Sequence, residues 1–296
     1  MREFLKDIHE IKKTELEYFS KWCVINSPNK LKALLNNKLY SGFASGFNDV
    51  FDSQIRITEN YKQVYSHIYD NVKTDNLDKL NDTQKNEVRA IFSFYCAELL
   101  EELHKIHISS FSGLNPLDVS SNHMWGLYGQ SGHGIAICYK SLEIIDYLKA
   151  NKHNFNFIQL NYDKNYDYLF IKFFKYLIDK ATIFKSGKTI FTKDEIDNFT
   201  MEFISNKTEH WKFEEEWRLV TKATKRDHLF DFIKPSKIIF GWNNRLNKDK
   251  DAWTSYCNYE IINWAKNNDI ELVYLDKTVD YIKKQFNTRL IPFKLK

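Results

Sequence analysis

MWGLYGQSGHGIAICY, residues 124–139, separates two kinds of protein. Five of the nine glycines lie between Gly113 and Gly134, beside Trp125, Tyr128, His133 and Tyr139. A dinucleotide-binding turn needs Gly-x-Gly-x-x-Gly after a strand and ahead of a helix, so that pyrophosphate meets a helix N-terminus. Here the spacing is Gly129-x-x-Gly132-x-Gly134. The segment that follows, GIAICY, is a continuous apolar run of the kind buried on both faces of a sheet. No Gly-Lys-Ser/Thr follows either, which removes the phosphate loop of the nucleoside triphosphatases. The stretch reads as a turn entering a buried strand. Trp125, Tyr128 and His133 are its candidates to stack on or hydrogen-bond a planar ligand, or to be core.

On either side, helices and strands alternate unevenly. The pattern predicts a helix over 2–20, a Ser27-capped helix running into a strand near Leu39, and a helix over 84–104 with apolar residues at three-to-four spacing. Strands are expected at IHISSFS, GIAICY and FNFIQLNY, then helices over about 165–182 and 193–208. EWRLVTKA, SKIIFGW and ELVYL complete the strands, with a helix near 250–267 before the last. This order predicts an α+β fold with a largely antiparallel sheet. No segment reads as a linker, so 1–296 is expected to be a single domain with a helical N-terminus (2–20) and a helical insertion over about 165–208.

The totals agree with a folded globule. Hydrophobic residues make up 43% and aromatics 16% of 296 residues, which argues against disorder. The net charge of +4 is too weak for a dedicated nucleic-acid binder, although a basic bias attracts anionic ligands. Cys23, Cys96, Cys138 and Cys257 form no Cys-x-x-Cys pair and read as reduced thiols of a cytoplasmic protein. No signal-peptide pattern and no run of 18 apolar residues appear, so no membrane is expected.

Two further stretches carry chemistry. In TEHWKFEEEWRLV, residues 208–220, Glu214 and Glu216 flank Glu215 between Trp211 and Trp217. On an extended chain they project from one face, about 7 Å apart, where one carboxylate can hold a hydroxyl and the other stabilise cationic charge. The alternative is an acidic turn paired with Lys212 or Arg218. In LYSGFASGFNDVFD, residues 39–52, Asn48 and Asp49 suit a turn or a helix cap, while Ser41 or Ser45 can meet a phosphate or ribose. His104 and His107 are spaced i, i+3 but lack a third ligand, so no metal is expected.

Taken in order, these blocks resemble an uncharacterised bacterial domain family. LLNNKLYSGFASGFNDVFD resembles its FNDPF(D/E) signature, and SSFSGLNPLDVSSNHMWGLYGQSGHGIAICY its MW-x-x-Y-x-x-x-H-x-G block. KTEHWKFEEEWRLV resembles its W-x-x-E-x-EWR block, and SKIIFGW the strand after it. The family's order is similar to that of ADP-ribosyltransferase-like folds, which clamp NAD between two small, largely antiparallel split sheets and break the nicotinamide–ribose bond. The resemblance implies an NAD-using transferase or glycohydrolase, a toxin or phage-defence effector, with an unknown protein or nucleic-acid acceptor and a possible regulatory partner. It makes Glu216 the catalytic carboxylate and gives Glu214 the acceptor. Arg218 anchors phosphate or the carboxylates, and Ser41, Asn48, Asp49, Trp125, Tyr128 and His133 line the NAD site. The family's His-Tyr-Thr stretch has no His counterpart in KWCVINSPNKL, residues 21–31, which favours the alternative of a non-catalytic nucleotide-binding or sensor module. A metal-dependent nuclease using Glu216 and Lys222 is the further alternative.

Overall fold

The structure, a computed structural model, describes residues 16–44, 81–151, 154–162, 168–169, 171–176, 191–222, 228–244, 252–280 and 282–290. Its first element is a strand, β1 (Tyr18–Cys23). The expected helix over 2–20 lies mostly outside the described residues, and its last part, 18–20, is strand. Helix α1 (Pro28–Leu35) starts where the sequence signals it: Pro28 follows Ser27, whose hydroxyl accepts the Lys30 amide at 3.4 Å. Strand β2 (Lys38–Phe43) follows.

Helix α2 (Asp82–His104) opens on a reciprocal cap between Asn81 and Gln84 and buries Val88, Phe92, Cys96, Leu99 and Leu103, the three-to-four spacing read from the sequence. Strand β3 (Ile106–Ser112), helix α3 (Asn122–Leu127) and strand β4 (Ile135–Lys140) come next. Residues 135–139 are all buried, as a strand covered on both faces requires. Helix α4 (Ser141–Ala150) and strand β5 (Asn156–Gln159) precede a helical region in which 171–176 and α5 (Lys193–Ile204) are described. Strands β6 (Glu216–Lys222), β7 (His228–Asp231) and β8 (Lys237–Phe240) lead to helix α6 (Ala252–Asn267), then to β9 (Glu271–Asp280) and β10 (Gln285–Leu290).

All ten strands belong to one connected network, antiparallel except for the β8–β9 pair. The fold is mixed α and β with one large, open, mostly antiparallel sheet rather than two separate sheets. One joint in it is slight. β1 pairs with β4 over six residues, whereas β1 and β3 share a single pair, Ser20 with Ser112. Beyond that joint β3 pairs with β6 from Ser112/Glu216 to Ile106/Lys222.

Apolar clusters fill both faces. Phe19, Phe111, Tyr139, Phe157 and Trp217 form one core, with Leu31 and Leu34 of α1 against it. Phe92, Phe173, Phe174, Phe191 and Phe203 form a second beneath α2 and α5. Trp22, Trp125, Val273 and Phe286 form a third. The glycine-rich stretch serves this packing. Gly132 has φ +80°, and a Cβ there would stand 2.5 Å from the Trp242 ring, so both conformation and contact call for glycine.

Candidate functional site

Strand pairing builds the site. Glu216 lies opposite Ser112 and Arg218 opposite Ser110, so these four share one face of the β3–β6 ladder, while Trp217 and Leu219 point into the core on the other. Glu214 arrives differently from the extended-chain expectation. It ends a 3₁₀ turn, Glu209–Glu214, and Glu215 takes a left-handed conformation, φ 45° and ψ 50°, before β6 begins. The two carboxylates nevertheless meet, because Lys207 stands between them. Its Nζ donates to Glu214 Oε2 at 2.7 Å and to Glu216 Oε2 at 2.9 Å.

The remaining carboxylate oxygens are also engaged. Arg218 Nε donates to Glu216 Oε1 at 2.8 Å, and Arg218 Nη1 to the Ile204 carbonyl at 2.8 Å. The Tyr128 hydroxyl donates to Glu214 Oε1 at 2.7 Å, and the Tyr162 hydroxyl accepts the Glu216 amide at 2.9 Å. Ser110 hydrogen-bonds the Glu216 carboxylate, and Ser112 Oγ donates to the Glu214 carbonyl at 2.5 Å. A small tie places two of these partners together: Lys207 N donates to the Asn161 carbonyl and Asn161 N to the Ser205 carbonyl, which brings Tyr162 and Lys207 to the same end of β6.

Lys207, Glu214, Glu216 and Arg218 are 0–4% exposed, and their formal charges cancel. Burial that deep demands such pairing. The two glutamates respond in opposite directions. Burial raises Glu216, but the charges of Arg218 and Lys207 and the bonds from Arg218 and Ser110 outweigh it and hold the carboxyl at about 2. For Glu214 burial wins over Lys207 and Tyr128, and the carboxyl is raised. Tyr128 is raised as well, by burial and then by the Glu214 charge. Around the outer edge stand Tyr128 and Phe213, both exposed, with His123 edge-on to Phe213 and Trp211 beneath the Lys207 ammonium at 5.0 Å.

Of the residues singled out in the sequence, the structure gathers Glu214, Glu216, Arg218 and Tyr128. Trp125 lies in the core instead: fully buried, it donates through Nε1 to the Pro116 carbonyl and packs on Trp22 and Trp242. His133 is exposed on the turn before β4, and among the described contacts no bond joins it to the carboxylates. Ser41 is buried in β2, where its carbonyl faces His107 Nδ1 at 3.4 Å. Asn48 and Asp49 lie outside the described residues. Lys207, Ser110, Ser112 and Tyr162 were missed. The serines had a signal, the SSFS run of a strand, but only its pairing with β6 turns them toward Glu216.

The joint between β1 and β3 connects this cluster to the other face. Lys21 of β1 reaches across the gap and donates through Nζ to the Ser110 carbonyl at 3.0 Å, over the Phe111 ring. Its stem lines a cavity of about 1110 Å³ between β1, β4, α1 and β2. Burial lowers its pKa. Among the described residues no three His, Cys, Asp or Glu side chains gather as metal ligands, and no helix is long and apolar enough to cross a membrane. No curated protein and no solved structure matches the chain. Residues 124–219, from the start of the glycine-rich stretch to the middle of β6, match the model of an uncharacterised family, described as a protein of unknown function (DUF2971).

Proposed function

We propose that this protein acts on NAD, with Glu216 and Glu214 as the reacting pair, in an ADP-ribosyltransferase-like or NAD glycohydrolase reaction. One observation carries the reading: two carboxylates converge on a single cation, the Lys207 ammonium. The sugar carbon of NAD becomes cationic as the bond to nicotinamide breaks, and fixed negative charge around that position lowers the barrier. Lys207 occupies the place where such a cation is stabilised, so substrate entry requires its ammonium to move aside. Exposed Tyr128 and Phe213, with Trp211, offer flat surfaces beside the cluster for a nicotinamide ring.

The split in carboxylate strength assigns the roles. Glu216, held ionised by Arg218 and Ser110, faces the ribose. Glu214, whose carboxyl is raised by burial, is the better proton acceptor. In the reaction the C1′–N bond breaks, its electron pair leaves with neutral nicotinamide, and a hydroxyl of water or of the acceptor attacks C1′ while its proton passes to Glu214.

A second reading, a nucleotide-binding module without chemistry, is favoured by one fact: every carboxylate oxygen of the pair already has a donor. NAD consumption and nicotinamide release separate the two, measured for wild type and Glu216→Gln with cell extract as acceptor source. Turnover that falls by about a hundredfold or more in the variant supports the enzyme. NAD binding without nicotinamide release supports the module, and neither binding nor turnover overturns both.

A further inference from the structure

The cavity on the opposite face of the sheet has a composition unlike the carboxylate cluster. Lys21, Lys30, Lys32 and Lys38 line it, and among the described residues no Asp or Glu does. Lys38 is paired with Asp231 at 2.6 Å, and Lys21 is held by the Ser110 carbonyl. Lys30 and Lys32 sit on the exposed side of α1 and have no carboxylate partner among the described residues, where Lys30 Nζ reaches only the Val24 carbonyl, at 3.4 Å. The inner wall is apolar, made by Leu34, Leu39, Ile137 and Tyr139. Asn29 and Asn36, both exposed, also line the cavity, and the Asn36 amide donates to the Lys32 carbonyl at 2.7 Å.

We propose that this cavity is a second ligand site, separate from the carboxylates, that takes a nucleoside polyphosphate with its base against Ile137, Tyr139 and Leu34 and its phosphates at Lys30 and Lys32. An apolar interior with cations at the mouth matches a molecule with a flat, weakly polar end and a multiply charged end. Among the described residues no acidic side chain lines the cavity, and Lys30 and Lys32 have no carboxylate partner there, the condition under which phosphates are attracted. A cavity of about 1110 Å³ is large enough for such a ligand.

The test is calorimetric titration of the full chain with adenosine, AMP and ATP, and with dodecyl phosphate as the alkyl counterpart. Wild type is expected to bind ATP more tightly than AMP and AMP more tightly than adenosine, with the gaps narrowing as salt rises. In Lys30→Met/Lys32→Met, ATP affinity is expected to fall by about tenfold while adenosine affinity stays level. Both changes lie on the exposed side of a helix, so folding is retained. Glu216→Gln is expected to keep ATP binding. The proposal is overturned if ATP does not bind wild type, if the double variant binds it equally well, if Glu216→Gln abolishes binding, or if dodecyl phosphate binds more tightly than ATP.

Discussion

On one face of β3 and β6, Lys207 and Arg218 are matched against Glu214 and Glu216 inside the protein, at distances of 2.7–2.9 Å. On the other face, across β1 and β4, four lysines border a cavity that no carboxylate of the described residues lines. The first arrangement is closed and depends on burial, since each charge there is tolerable only while its partner stays. The second is open at the mouth, and water meets Lys30 and Lys32. Internal pairing ties the first region to stability, so any chemistry there has to displace an ion pair. In the second region Lys38 is paired with Asp231 and Lys21 with the Ser110 carbonyl, so Lys30 and Lys32 are the cations that face outward. Lys21, bound to the Ser110 carbonyl while Ser110 holds Glu216, is the point where the two touch.

The largest effect that this contrast predicts is at Lys207. Lys207→Met leaves two buried carboxylates facing each other and is expected to cost about 3–5 kcal/mol in urea unfolding. Adding Glu214→Gln to it removes one of the two charges and is expected to restore part of the loss. A cost below about 1 kcal/mol would show the cluster to be as weakly coupled as a surface pair, and the contrast between the faces would collapse.

Acid titration comes next. Glu216 is held at about 2 against an ordinary value of 4.5, so its contribution is present above the ordinary value and is lost as pH falls from there toward 2. The loss is on the order of 3 kcal/mol if the whole shift is realised. Glu214 works in the opposite direction. Its carboxyl is raised, so protonation as pH falls toward the ordinary value adds stability, and that gain is complete before the Glu216 loss sets in. Denaturant midpoints are expected to fall less steeply between pH 4.5 and 2 in Glu216→Gln than in wild type, and to rise less as pH falls toward 4.5 in Glu214→Gln. Parallel curves for all three would mean that the charges are not specifically paired.

What could be read in advance follows the range of the forces involved. Ser27 before Pro28 announces α1, and the apolar run GIAICY announces a strand buried on both faces, because both signals are local. EWRLV was recognisable as a strand beside paired carboxylates for the same reason. Lys207 was not recognisable. It lies seven residues before Glu214, about two turns along a helix, but the chain between them is a loop and a 3₁₀ turn, so the spacing does not pair them, and it is the Asn161 tie that holds the Lys207 backbone in place. Trp125 misled because an aromatic beside glycines looks the same whether it faces a ligand or a core. Its Nε1–H bond to the Pro116 carbonyl depends on a chain path that residue type does not reveal.

The smallest effect concerns how Glu214 and Glu216 come to meet at all. A plain strand would have carried Glu214 away along β6; the left-handed turn at Glu215, with its carbonyl taking the Gly113 amide at 3.0 Å, bends the chain back toward Lys207. Residues with a Cβ adopt that conformation at a cost of about 1 kcal/mol, and β-branched ones at more. Glu215 is exposed and its side chain makes none of the contacts to the ion-paired cluster, so the backbone preference should dominate. Glu215→Gly is expected to leave stability level or raise it by up to about 1 kcal/mol, and Glu215→Val to lower it by about 1–2 kcal/mol. If glycine and valine give equal stabilities, the bend is not retained in solution. Glu214 would then have to reach Lys207 along an extended chain, and the closed face would lose the geometry that distinguishes it from the open one.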